Sequence, residues 1–288
     1  MKYIALIYTL LLMVQSASAQ ITVQIKPQHQ EFVAYESLKI EVTITNRAGR
    51  PIQFANKFNR SWIEFVVTDR NGHSIAPKKK VTYKPALVES GGSVRSSFII
   101  NQSHDLTRPG NYSVYAIVRM PGQGENEGTR SRAAIFTVFK GHAAWKQKAG
   151  VPGTRAETRE YRLLNVTRDK TPDLYVQVED TRRGLILATY SIGKNIGFKK
   201  YHATLDRTNN LHVLFQTTPA IYCHTVVNPD GKTVRRLYHK RGRGNTTPKL
   251  ITTSTGTVGV GGSTPYDPAK EADQRRQIHK LSELPLGL

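Results

Sequence analysis

The 288-residue chain has a single cysteine, Cys223, with His224 beside it and His212 twelve residues before that histidine, all within LHVLFQTTPAIYCHTVV, Leu211 to Val227. A thiol next to an imidazole suggests a nucleophile and its base, and two histidines near a cysteine suggest part of a metal site. The first needs the base within about 2.6–3.2 Å of the sulfur, and zinc wants three or four protein ligands. Ile221 to Val227 reads as a strand. Its side chains then alternate, with Ile221, Cys223, Thr225 and Val227 on one side and Tyr222, His224 and Val226 on the other. Thiol and imidazole project apart, and Cys223 is expected as a small buried apolar residue. His212 could approach His224 across a hairpin, but two histidines without a third placed ligand make no metal site, and none is expected.

Other catalytic spacings are no better supported. Ser191-Ile192-Gly193-Lys194 matches a serine-x-x-lysine pair, which requires a helical turn to bring amine to hydroxyl; here it ends a strand. Glu179-Asp180 and the pair Glu125 and Glu127 read as turn residues, whereas glycosidase chemistry holds two acids at a set distance across a cleft. The HExxH, phosphate-loop and nucleophile-elbow patterns are absent. No catalytic residue and no cofactor are expected.

The strongest local feature is electrostatic. GKTVRRLYHKRGRGNTTPK holds Lys232, Arg235, Arg236, Lys240, Arg241, Arg243 and Lys249, with Tyr238 and His239 among them and no acid. Arginine forks suit sulfate, phosphate and carboxylate, and an aromatic between them can stack on a sugar or a base. These residues, Tyr238 included, form the candidate polyanion site. The plainer reading is that the charges guard an exposed sheet edge. Lys78 to Lys80 and Lys194, Lys199 and Lys200 are candidates to extend the patch.

Short strands with turns between them must position these groups. ITVQI alternates Ile21, Val23 and Ile25; LKIEVTITN alternates Leu38, Ile40, Val42 and Ile44 against polar residues, the period of a half-buried strand. Asn71-Gly72 signals a hairpin turn. Later strands lie in SVRSSFII, YSVYAIV and AAIFTVF, giving about seven strands in this region, the count of a two-sheet sandwich. Leu106-Thr107-Arg108-Pro109-Gly110-Asn111-Tyr112, followed by alternation at Tyr112, Val114, Ala116 and Val118, resembles bacterial immunoglobulin-like and fibronectin type III-like modules, as does VTITNRAGRPIQF. The resemblance implies an immunoglobulin-like β-sandwich over residues 20–141, with the tyrosine packed or hydrogen-bonded at the corner between sheets. Such modules serve as spacers, platforms or adhesion units, and the fold alone specifies none of these.

Residues 142–160 carry two glycines and a proline, with Gly141 just before them, show no periodicity and read as a linker, with Trp145 expected to dock on a neighbouring domain. Residues 161–264 repeat weakly. Aligning Leu174-Tyr175-Val176 with Leu211-His212-Val213 and Val258-Gly259-Val260 gives spacings near the roughly 40–50 residues of a propeller blade. The region resembles propeller-type β repeats. Two repeats and a fragment cannot close a ring of typically four to eight blades, so an antiparallel, blade-like β-meander module is expected. The polar tail, 265–288, offers the only helix signal, near 268–284.

The chain opens with Lys2, an apolar run from Tyr3 to Val14, and Ala17-Ser18-Ala19, the order of a secretory signal peptide over 1–19, cleaved after Ala19. The run of about twelve residues is short of the roughly twenty that span a bilayer. The mature chain is expected in the periplasm or outside the cell, not spanning a membrane. A lone cysteine leaves it to be held by burial and hydrogen bonds. The formal charge is +21, and the excess lies in the folded regions: 17 basic against 9 acidic residues over 20–141, and 20 against 8 over 142–264. Such a surface attracts polyanions. The sequence thus reads as an exported all-β protein that binds an acidic glycan or similar envelope polymer without catalysis; the alternative is a structural or adaptor component that binds another envelope protein.

Overall fold

A computed structural model describes residues 21–57, 60–124, 127–153, 157–168, 171–197 and 200–282. The expected signal peptide lies outside them, as do Glu125 and Lys199. Among the described residues the chain is all-β, with a propeller-like arrangement of up-and-down sheets and one α-helix near the end, and it divides into two compact units after Lys140. Among the described residues no helix is long and apolar enough to cross a membrane.

The first unit contains β1 (Ile21–Pro27), β2 (Glu31–Val33), β3 (Lys39–Asn46), β4 (Ile52–Phe54), β5 (Ile63–Asp69), β6 (Ala86–Val88), β7 (Ser93–Ile99), β8 (Gly110–Val118), β9 (Thr129–Arg130) and β10 (Ala134–Phe139). One sheet runs β1-β3-β7 and another β2-β10-β8-β5, with β9 on β8 and the pair β4-β6 apart. The alternation read for the third strand is what the fold uses. Ile40, Val42 and Ile44 are buried and join Phe65, Val67, Val114 and Phe136 of the other sheet in one apolar cluster. More strands form than the seven expected, because β2, β4, β6 and β9 span two or three residues each, too few for a period to show. Gly72 takes φ of +81° in the turn after β5, where Asp69 accepts the Asn71 and His73 amides. At the start of β8 the Tyr112 hydroxyl donates to the Arg108 carbonyl at 2.7 Å, and its ring stacks on Phe136.

The second unit contains β11 (His142–Gly150), β12 (Thr158–Arg168), β13 (Thr171–Asp180), β14 (Leu185–Lys194), β15 (His202–Leu205), β16 (Leu211–Gln216), β17 (Ile221–Val227), β18 (Thr233–Arg241), β19 (Lys249–Thr252), β20 (Val258–Gly261), β21 (Ser263–Tyr266) and α1 (Pro268–Ser282). The stretch read as a linker is therefore a strand, β11, and the beginning of β12. It escaped notice because β11 is an outer strand, HAAWKQKAG, largely exposed and without an apolar stripe; its order comes from pairing with β12. Trp145 packs on the core of its own unit.

Two antiparallel meanders follow, β11-β12-β13-β14 and β15-β16-β17-β18, the second extended by β21. Each is a four-stranded layout of the kind found in a propeller blade. The repeat spacing read from sequence is one strand out: Leu174–Val176 lies in the third strand of its sheet and Leu211–Val213 in the second of its own. Val258–Val260 opens no third meander and belongs to the two-stranded pair β19-β20. Tyr161, Leu163, Val176, Val178 and Ile192 of the first meander join Leu211, Val213, Phe215 and Cys223 of the second in one core. Glu179 and Asp180, read as turn residues, end β13. Asp180 is buried against Arg159 at 3.1 Å, and Glu179 accepts from Arg162.

Candidate functional site

Two features occupy β16–β18, a polar row inside the second meander and a basic ribbon on its outer strand. β16 and β17 are buried on both faces. One face is the apolar core. β19 lies close to β15 and β16. Cys223 is on the core face, 1% exposed, its sulfur 3.5 Å from the Thr225 hydroxyl, and burial pushes the thiol up. His224 is on the opposite face.

His212 and His224 meet on that second face, Nδ1 to Nε2 at 3.0 Å, with their rings 5.2 Å apart. The register explains it: His212 pairs with Val226 and His224 with Leu214, so the two are diagonal neighbours on one side of the hairpin. Asp206 anchors the row. Its carboxylate accepts from the amides of Thr208 and Asn210, the Thr208 hydroxyl, the Asn210 amide group and His212 Nε2. Burial opposes its charge, but these bonds prevail and hold the carboxyl down at about 2. An ionised Asp206 can only accept, so His212 carries its proton on Nε2. Neutral His212 then accepts at Nδ1, which places the His224 proton on Nε2. Burial, with His212, Arg235 and His239 nearby, takes His224 down to about 3, and burial also lowers His212 and His239.

His239 of β18 extends the row, its ring 6.2 Å from His224 and its Nδ1 3.1 Å from the Ser263 hydroxyl. Gln216, Tyr222 and His239 stand directly opposite one another across β16, β17 and β18, and Gln216 Oε1, Tyr222 OH and His239 Nε2 are buried without a hydrogen-bond partner among the described residues. Among the described residues no three His, Cys, Asp or Glu side chains converge to hold a metal ion. Asp206 and His239 were missed in the sequence. The Asp-x-Thr-Asn-Asn run before β16 is a side-chain-capped turn signal that points to the first; only strand register reveals the second.

The basic candidates run from Lys232, just before β18, through β18 and the loop after it to Lys249, the first residue of β19. Lys232, Arg235, Arg236, Arg243 and Lys249 are exposed, and none has a carboxylate partner among the described residues. The other three are engaged. Lys240 reaches Glu271 of α1 at 2.8 Å and sits 4.4 Å over the Tyr266 ring; Arg241 donates to Asn245; Tyr238 packs at the margin of the apolar core. Arg235 shares the histidine face and Arg236 the cysteine face, as their pairing with Val226 and Thr225 requires. The two therefore do not share a surface; they share an edge. β21 covers only Tyr238–Arg241, so among the described residues Thr233–Leu237 is paired on one side alone.

The triple lysine belongs to the first unit. There Lys79 and Lys80 line a cavity of about 330 Å³ with Arg60, Glu64, Tyr83 and His104. An adjoining cavity of about 440 Å³ shares Arg60 and includes Trp62 and Arg119, which is paired to Glu64 at 2.8 Å. Lys194 and Lys200 lie in the second unit.

No family model and no curated protein matches the chain. Among solved structures it is similar to the alkylpurine DNA glycosylase AlkC from Pseudomonas fluorescens, with 16% identity, TM-score 0.28, over 42% of this chain and 30% of that one. It is also similar to a β-glucosidase from Listeria innocua, with 16% identity, TM-score 0.27, over 41% and 16% of the two chains. Spo0M, a sporulation control protein from Bacillus subtilis, gives 10% identity and TM-score 0.27 over 60% and 91%. The chain thus spans less than a third of the first two proteins. No functional reading follows from likenesses this partial.

Proposed function

We propose that this chain is an exported, non-catalytic binding protein that recognises an acidic polymer, of the anionic glycan class, along the basic ribbon of β18. The observation that carries the reading is the half-open edge at Thr233–Leu237, flanked and crossed by Lys232, Arg235 and Arg236 without a carboxylate to neutralise them. A linear polyanion laid along an edge meets side chains of both faces in turn, so the opposite orientation of Arg235 and Arg236 suits a polymer better than a compact ligand. The non-catalytic part is supported by Cys223, whose thiol is protonated, buried and turned from His224. The opening Lys2, apolar run and Ala17-Ser18-Ala19 support export. The first unit is read as an immunoglobulin-like sandwich; the hydrogen bond from Tyr112 back to the Arg108 carbonyl supports this, since that corner is a recurrent feature of such domains.

Retention on a heparin column tests the function. The full chain is expected to bind at low salt and elute as salt rises, while a variant with Arg235, Arg236, Arg241 and Arg243 changed to serine elutes markedly earlier. Coincident elution of the two would end the proposal.

A further inference from the structure

The outer strands of the second unit are not alike. β11 carries Lys146 and Lys148; the open half of β18 carries Arg235 and Arg236; β15 is only four residues long. Charge and brevity are the usual means by which an edge is kept from pairing with other chains. β14 has neither. It is ten residues long, and Leu185 to Gly193, LILATYSIG, contains no charge and no proline. Among the described residues only β13 pairs with it. Leu185 and Leu187 are 53% and 39% exposed. Register shifts at Leu187 and Ile192 bracket a regular segment, Ala188 to Ser191. Its inner side is fixed: the Tyr190 hydroxyl bonds Thr233, and a Cβ on Gly231 would fall 2.5 Å from that of Ala188. The strand is thus braced from within and bare along its outer margin.

We propose that the open margin of β14 is a docking site for an extended peptide segment of another protein, added as a further strand, with acidic residues at both ends of the segment. Strand addition takes its affinity from main-chain hydrogen bonds and its selectivity from alternate side chains; Leu185 and Leu187 supply the apolar contacts. Charge decides the occupant. Arg182 and Arg183 precede the strand, both exposed, and Lys194 ends it. A second copy paired antiparallel would set its Lys194 opposite these arginines, and a parallel one would set like against like, so self-pairing is opposed in either direction. A segment with carboxylates at both ends meets basic groups at both ends. This margin adjoins the start of the ribbon, where Tyr190 bonds Thr233, but the proposal does not depend on polyanion binding.

The probe is a synthetic capped peptide of two glutamates, three Val-Thr repeats and two more glutamates, titrated onto the full chain at physiological salt. Two companions are used: the same peptide with alternate residues N-methylated, which keeps the charge and removes the strand-pairing amides, and one with lysine ends. The glutamate-ended peptide is expected to bind and to slow exchange of amides within Ala188–Ser191, and each companion to bind at least tenfold more weakly. Leu187→Lys, and separately Leu185→Lys, are expected to weaken binding at least tenfold without reducing heparin retention, which separates a failed edge from a misfolded chain or a failed ribbon. Equal binding of the N-methylated peptide, no change in β14 exchange, or a concentration-dependent dimer abolished by Leu187→Lys would each overturn the proposal.

Discussion

Acid should weaken the second unit well above the range where carboxylates titrate. His224 is 1% exposed, and its pKa falls to about 3 against 6.5 for an ordinary histidine, first through burial and then through its basic neighbours. Because the folded value is the lower one, the unfolded chain binds the proton more readily, and stability declines as pH drops below about 6.5. The difference between the two values allows at most about 5 kcal/mol once pH reaches 3, at about 1.4 kcal/mol per unit. At pH 5 the unfolded histidine is almost fully protonated and the folded one is not, which gives a loss of about 2 kcal/mol relative to pH 8. His212 and His239 are shifted the same way and add to it. Asp206, held near 2, contributes stability that is complete above 3.8 and lost only as pH falls toward 2, so it is silent between 8 and 5. Hydrogen exchange of the β16 and β17 amides, corrected for the intrinsic pH dependence of exchange, reports this unit alone. Protection should drop about thirtyfold from pH 8 to pH 5, and His224→Gln should remove most of that slope. Equal protection at both pH values, or an unchanged slope in the variant, would show that the row is not held neutral by burial.

Three further outcomes follow from the same geometry. Cys223 should resist an aromatic disulfide reagent in the native chain and react once per chain in denaturant, read by the absorbance of the released thiolate. Arg159→Met leaves Asp180, 2% exposed, without its main cation and should cost about 3 kcal/mol in urea unfolding of the second unit. Tyr112→Phe removes the bond to the Arg108 carbonyl and should destabilise the first unit by about 1 kcal/mol, with little effect on the second.

Much of this architecture could be read from alternation. Ile40, Val42 and Ile44 announced one core face, and the same period separated Cys223 from His224, because each of these strands has one side whose neighbours are apolar. Where that condition fails, the reading fails. β11 is exposed on most of its surface and shows no apolar stripe, so Ala143 to Gly150 looked like connecting chain. The approach of His212 to His224 across a hairpin was legible and is found, but not that His239 joins their face; β16 and β17 are covered on both faces, and that sharing depends on register, which long-range pairing sets. The basic ribbon was legible as composition, but not its division between faces, nor the loss of Lys240 to Glu271. The bare margin of β14 was not legible either: the sequence shows a strand ending at Ser191–Lys194, and only the sheet order places it outermost.

The most direct measurement of the central proposal is the affinity of the full chain for a heparin oligosaccharide across a series of salt concentrations. If exposed ribbon cations hold the polymer, the logarithm of the binding constant falls linearly with the logarithm of salt. Changing Arg235 and Arg236 to serine should then flatten the slope by about two, roughly one for each lost contact. A slope near zero, or one that the double variant leaves unchanged, would contradict the account.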